Sequence, residues 1–282
     1  MICQWKELMR LLPPWIRQEV DKQGREDAQE IRLRLHTNPE IVKANGSFWV
    51  DGIVTSEDIS FCLNTVTRYS PWTSESITDG YVTAVGGHRI GLCGQCVYTA
   101  EKLKNINGIT SLCIRVARDF DGISGLLYQN RSSILIIGSP GCGKTTLLRD
   151  LIRRISDLGK RAVAVIDERR ELFPYQDGKY AFQRGIRTDV LSGCKKGAGL
   201  DMLLRTMGPS VIALDEITNQ DDCRALSEAA WCGVQLIATA HAAGREDLFA
   251  RKIYSPILES KIFQTLITVH PDKSWKEEVL PI

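Results

Sequence analysis

The chain has 282 residues, more than a single domain of ordinary size, and its 43% hydrophobic content can fill a core in each of two. A formal charge of +2, from 36 basic and 34 acidic residues, sets up no global field for nucleic acid or an anionic surface. No apolar run approaches the roughly 20 residues of a membrane span, Lys6, Glu7, Arg10, Arg17 and Glu19 interrupt the N-terminal apolar stripe as no signal peptide would, and nine cysteines, an odd number, suit a reducing cytoplasm rather than a disulfide framework.

Trp5, Leu8, Leu11 and Leu12 recur at helical spacing until Pro13-Pro14 interrupts them. Glu30 to Leu35, EIRLRL, alternates as a half-buried strand does, with Ile31, Leu33 and Leu35 on one face and Arg32 and Arg34 on the other. Short strands separated by glycine turns are predicted at Ile41 to Val42, Phe48 to Val50, Tyr81 to Val85 and Arg89 to Leu92. Between them Ser56 starts a capped helix with Glu57 and Asp58 in its first turn, and a mixed helix and strand stretch ends at CIRVAR, Cys113 to Arg118. Cys93 and Cys96 form a C-x-x-C pair, but no second pair or nearby histidine completes a zinc shell. Residues 1–120 therefore read as a small N-terminal α+β domain. Asp119 to Arg131, with Asp121-Gly122 and Gly125, reads as a connector with a short helix.

From Ser132 onward near-continuous apolar strands alternate with helices, the pattern of a parallel sheet covered on both faces. Residues 121–282 thus read as an α/β, RecA-like P-loop NTPase core. The apolar run Ile134 to Ile137 leads into Gly138, Ser139, Pro140, Gly141, Cys142, Gly143, Lys144 and Thr145, with Thr146 opening a helix to about Leu158. Glycines let backbone N–H groups close around phosphate oxygens, and the helix behind presents its positive end. Lys144 is placed to hold the β- and γ-phosphates of ATP, and the Thr145 hydroxyl to ligate Mg²⁺. The strand Val211 to Leu214 ends in Asp215, a second anchor for Mg²⁺, and Glu216, placed to orient or deprotonate the attacking water. Glu168, in Asp167-Glu168-Arg169 after a neighbouring strand, is a second candidate for that water. Thr239-Ala240-His241 brings a hydroxyl and an imidazole to the same rim, where His241 could report the γ-phosphate. Leu191-Ser192-Gly193 imitates an ABC-transporter signature, but Lys144 and Asp215 are too close for a helical subdomain between them. No Asn-Lys-x-Asp segment exists to read guanine.

The ordered set of P-loop, acidic box Asp167 to Glu171, Leu204-Arg205, Glu216, Ala229-Ala230…Gly233 and Thr239-x-His241 resembles the ATPases of type II secretion and type IV pilus retraction. Within that superfamily the stretches EIRLRL, GGHRIGLCG, INGITSLCIRVAR, GSPGCGKTTLLRDLIR, IDERRE, RTDVLSGCKKG and LDEI are similar to the stage III sporulation AA family of endospore-forming bacteria. Asp215-Glu216 stands where pilus motors have Gly-Glu, and IDERRE replaces their Glu-Asp-Pro pattern. The resemblance implies a Mg²⁺-dependent ATPase in the mother-cell cytoplasm, peripheral to a membrane channel complex leading to the forespore. It also implies a homohexameric ring in which arginines of the first domain close over the next subunit's nucleotide. Arg89 and Arg115 are the preferred pair among Arg32, Arg34, Arg89, Arg115 and Arg118. Two alternatives stay open: a nucleic-acid-dependent ATPase, with a basic channel including Lys195 and Lys196, and a platform that binds ATP with negligible turnover. The near-neutral charge argues against nucleic acid as a partner.

Overall fold

In the computed structural model, which describes residues 3–25, 27–67, 80–99, 101–176 and 178–280, the alternation of EIRLRL sets the first sheet. Strand β1 (Ala28–Arg34) buries Ala28, Ile31 and Leu33 and turns Glu30, Arg32 and Arg34 to the opposite face. With β2 (Glu40–Lys43), β3 (Gly46–Trp49), β4 (Tyr81–Thr83), β5 (Arg89–Thr99) and β6 (Lys102–Arg115) it forms an antiparallel sheet of order β3-β2-β1-β6-β5-β4. Helices α1 (Trp5–Leu11), α2 (Pro14–Gly24) and α3 (Ser56–Thr67) contribute Leu8, Ile16, Val20, Ile59 and Cys62, and the link between the first two contributes Leu12, to one core with Ile31, Ile41, Ile90, Leu112 and Ile114. Pro14 opens α2, where its missing N–H costs nothing.

One expectation is borne out here and another is corrected. Helix α3 starts at Ser56 with Glu57 and Asp58 in its first turn, as expected, and its cap is Thr55: the Thr55 N–H and hydroxyl donate to Asp58 Oδ2 at 2.9 Å, and the Asp58 N–H donates back to Thr55 Oγ1 at 3.3 Å. That reciprocal pairing needs a spacing of three residues, which Thr55 and Asp58 supply. The mixed helix and strand stretch before CIRVAR is, over its described part from Arg89, one long hairpin of β5 and β6. Its register shifts after Cys93, where a Cβ on Gly94 would lie 2.6 Å from the Asn107 carbonyl oxygen, so a glycine bulge holds together a hairpin that apolar alternation alone does not announce.

The second sheet is built from β7 (Ile134–Gly138), β8 (Val163–Asp167), β11 (Thr188–Ser192), β12 (Val211–Ile217), β13 (Gln235–His241), β14 (Thr265–Val269) and β15 (Trp275–Val279). Its order is β11-β8-β12-β13-β7-β14-β15, parallel throughout except for β15 at the edge. Every residue of β7 and β8 is buried, as expected of strands covered on both faces. Helix α4 (Lys144–Asp157) packs across β7, β8, β11, β12 and β13. On the other face α5 (Lys196–Thr206), α6 (Gln220–Ala230), α7 (Arg245–Ala250) and α8 (Ser255–Glu259) share a core with alternate residues of the strands.

The chain divides into two compact units, Met1–Asp119 with Pro174–Phe182, and Phe120–Phe173 with Gln183–Ile282. The small hairpin of β9 (Tyr175–Gln176) and β10 (Lys179–Tyr180) is thereby grouped with the first unit, although the sequence reading leaves it inside the second. Gln176 donates to the Thr83 carbonyl at 2.9 Å and Phe182 lies against Gly87, contacts that only the folded chain brings together. Among the described residues no helix is long and apolar enough to cross a membrane.

Candidate nucleotide-binding site

Because β7, β8, β12 and β13 are parallel, their C-terminal ends open on one edge, which gathers the loop after Gly138, Asp167, the Asp215-Glu216 pair and His241. His241 is in register with Gly138, so the imidazole stands directly beside the start of the P-loop. A Cβ at Gly138 would lie 2.5 Å from Cys142 Sγ and 2.6 Å from the Val269 carbonyl oxygen, which leaves glycine as the only residue that fits. Gly141 and Gly143 take left-handed φ values of 74° and 107°. Gly143 caps α4 without any side-chain bond, leaving the first-turn N–H groups to face an anion. Ser139, Pro140 and Gly141 are exposed, Cys142 is buried, and Thr145 and Thr146 are half-buried in the first turn.

The Lys144 ammonium is buried within this loop. It donates to the carbonyls of Gly138 at 2.8 Å and Ser139 at 3.0 Å, and it lies 3.0 Å from His241 Nδ1. An ammonium only donates, so Nδ1 accepts and the ring proton sits on Nε2, 2.8 Å from Glu216 Oε1. Lysine, imidazole and carboxylate thus form one hydrogen-bonded line across the rim. Tyr254 clamps its middle: the hydroxyl accepts from the His241 N–H at 3.1 Å and donates to the His241 carbonyl at 3.2 Å. Burial holds the Lys144 pKa below the usual lysine value, against the opposing pull of Cys142, Glu216 and Asp215.

The neighbouring carboxylates have different jobs. Asp215 is buried, and that burial pushes its pKa up although the Thr239 hydroxyl donates to it at 3.3 Å. Thr239 is therefore turned inward to Asp215 rather than to the rim. Asp167 is fully buried and accepts the N–H groups of Glu171, Leu172 and Phe173 at 2.8, 3.1 and 2.9 Å, folding the acidic box into a turn. Glu168 hydrogen-bonds to Lys196, which is buried and lies 3.5 Å from Asp222 Oδ2. That pairing removes Lys196 from any solvent-lined basic channel. Arg169, by contrast, reaches toward Glu216, with 3.7 Å between Nη1 and Oε2.

Arg89 and Arg115 belong to the first unit, directly opposite each other on β5 and β6. Arg89 lies over the Tyr81 ring, 3.7 Å from its centroid, and Arg115 is 3.5 Å from Glu30 Oε1. Sequence reasoning missed Tyr254, Lys196 as a partner of Glu168, and Lys273, whose ammonium donates to the Gly141 carbonyl at 2.5 Å. Lys196 had a signal in the adjacent Lys195-Lys196-Gly197 opening a helix. Tyr254 and Lys273 had none, because each arrives through a turn distant in sequence.

The family model described as sporulation stage III, protein AA matches residues 4–279. The chain belongs to that family. Stage III sporulation protein AA of Bacillus subtilis (strain 168) is 36% identical over 271 residues, covering 91% of this chain and 88% of its own. The sporulation stage III AA fold described above is shared with solved structures of low identity. The pilus retraction motor PilT with bound ADP superposes with a TM-score of 0.60 at 17% identity, over 90% of this chain and 76% of that one. The ATPase DotB of Legionella pneumophila gives 0.58 at 15% identity, over 95% and 80%. The chain therefore shares its RecA-like fold with these two proteins.

Proposed function

We propose that the chain is a Mg²⁺-dependent ATPase of the secretion type, working as a homohexameric ring. The observation that carries this reading is the line from Lys144 through His241 to Glu216, which joins the phosphate-binding lysine to the carboxylate best placed for water. The cradle suits a triphosphate: its glycines admit close backbone approach, and the Lys144 ammonium rests on loop carbonyls that phosphate oxygens can replace. Thr145 and Asp215 would hold Mg²⁺, which when bound supplies positive charge against the phosphates. Lys144 binds the β- and γ-phosphates, Glu216 orients the attacking water and takes its proton, and His241 exchanges its Lys144 contact when phosphate enters.

Arg89 and Arg115 are assigned to the nucleotide of the neighbouring subunit, where positive charge lowers the cost of the developing equatorial charge. Family membership supports a role in sporulation. On that basis the ring acts in the mother-cell cytoplasm, at the periphery of a membrane channel complex facing the forespore, and either drives transport or assembles the channel.

Phosphate release and light scattering of the purified chain, with and without ATP and Mg²⁺, test the proposal. Glu216→Gln is expected to bind ATP and lose turnover by about 10² to 10³-fold, within the usual range for a general base, while Glu168→Gln keeps most activity. Lys144→Ala should lose nucleotide binding. Wild-type turnover by Lys144→Ala would remove the site, a larger loss in Glu168→Gln would move the base role, and nucleotide-dependent assembly without phosphate release would make the chain a platform.

A further inference from the structure

The edge opposite the P-loop carries a surface that the nucleotide chemistry does not use. Residues 157–162, 183–187, 205–210 and 231–234 lead into β8, β11, β12 and β13, so in sheet order their tips form one row. Hydrogen bonds tie the row together: the Ile186 N–H donates to Asp157 at 2.7 Å, the Ser210 N–H to the Ala162 carbonyl at 3.0 Å, and the Gln235 N–H to the Ser210 carbonyl at 3.2 Å. Each tip holds out a large apolar side chain: Ile186 is 78% exposed, Leu158 54%, Met207 47% and Trp231 89%. Scattered apolar residues on a surface need no explanation, but four on consecutive strand entries of one edge do.

The charges along this row are predominantly basic. Arg184, Arg187, Lys160, Arg161, Arg205 and, before β7, Arg131 stand against Asp157 alone within these loops and 130–133. Asp157 is already occupied by the Ile186 N–H, and Arg205 by Asp201 of α5. Arg131, Lys160 and Arg187 have no carboxylate partner among the described residues. Burial lowers the Arg161 pKa, and the charge of Arg131 lowers it further, so cations on this edge repel one another. The opposite, nucleotide edge ends instead in Asp167, Glu168, Asp215 and Glu216.

We propose that this edge of the second unit docks on an anionic membrane surface, with Trp231, Met207, Leu158 and Ile186 entering the headgroup layer and the flanking Lys and Arg side chains pairing with lipid phosphates. Two features favour lipid over a protein partner. The apolar groups are separate tips on turns rather than a continuous flat patch, and Lys160 and Arg187, without a carboxylate partner among the described residues, stand in the same loops, which matches an interface where apolar tips sink and cations stay among headgroups. A tryptophan at the end of the row suits the same boundary. The inference does not depend on ATP hydrolysis.

The test is flotation of the full chain with vesicles of phosphatidylcholine alone and of phosphatidylcholine with phosphatidylglycerol. Binding is expected only with phosphatidylglycerol, weakening as salt rises. The triple variant Leu158→Ser, Lys160→Glu, Trp231→Ala should bind about tenfold more weakly or worse. Lipid-dependent blue-shifted emission should vanish in Trp231→Phe. Nucleotide affinity of each variant, read on the same preparation, reports that the fold is intact, since none of these residues touches the P-loop. No flotation with phosphatidylglycerol, or equal flotation by the triple variant, overturns the proposal. So does loss of self-association in the variants without any lipid binding, which would assign the row to a protein interface.

Discussion

His88 shows how a single residue can matter for stability while its neighbour draws attention for function. In GGHRIG the arginine is the candidate for catalysis, but the histidine is fully buried in the first unit. Its Nδ1 accepts the Ala117 N–H at 3.1 Å, so Nε2 carries the proton toward the Gln4 carbonyl at 3.2 Å. Burial pushes its pKa down to about 4 from the ordinary 6.5. The unfolded chain therefore takes up a proton between those values that the folded chain refuses, and stability falls as pH drops through that window. The loss approaches about 3 kcal/mol by pH 4, from the shift at ~1.4 kcal/mol per unit. Urea unfolding between pH 7 and pH 5 should show a slope that His88→Gln flattens; an unchanged slope would place the titration elsewhere. The P-loop residues were legible because their chemistry is local in sequence. His88 was not, because its two partners lie near residues 4 and 117.

At the scale of elements, α4 carries both the P-loop lysine and an ionic anchor for the connector. Asp150 is fully buried and accepts the Gly122 N–H at 3.0 Å, the Ser124 N–H and hydroxyl at 2.7 Å each, and Arg153 at 2.6 Å. Burial alone would raise its pKa, but the bonds from Ser124, Arg153 and Gly122 prevail and hold it below the usual aspartate value. Asp150→Ala takes the nearest carboxylate from a buried guanidinium and strands two backbone donors, at an expected cost of about 3 kcal/mol. Urea unfolding checks this, and a change under about 0.5 kcal/mol, the level of an ordinary surface substitution, would show that Asp121 and the Phe120 carbonyl suffice for Arg153. Element types were readable from periodicity: β1, α1 and the buried strands β7, β8, β12 and β13 fall where apolar spacing puts them. The β5–β6 hairpin was harder, since its outer residues from Cys93 to Thr99 are exposed and carry no burial pattern.

For the whole molecule, the two cores are separate clusters drawn from different segments of chain. Under the proposed function, ATP with Mg²⁺ at about 100 times its Kd stabilises the unit that binds it by ~2.7 kcal/mol, or about a hundredfold in the opening equilibrium. In the unassembled chain, where Arg89 and Arg115 meet no neighbour's nucleotide, hydrogen exchange of amides in β7, β12 and β13 should slow accordingly, while those in β1, β5 and β6 keep their rates. Equal slowing in both groups would mean that the two cores open as one. By itself the sequence determined the alternating strand and helix order of the second unit, the glycine-rich loop after β7 and the carboxylates near strand ends, because those depend on short-range spacing and on glycine's backbone freedom. Only the tertiary structure decided that Glu216 shares a proton line with Lys144 while Glu168 is tied to Lys196. The same is true of the grouping of 174–182 with the first unit and of the row formed by Ile186, Leu158, Met207 and Trp231. Each of these depends on which strands become neighbours, and parallel neighbours are chosen by long-range packing that no local window contains.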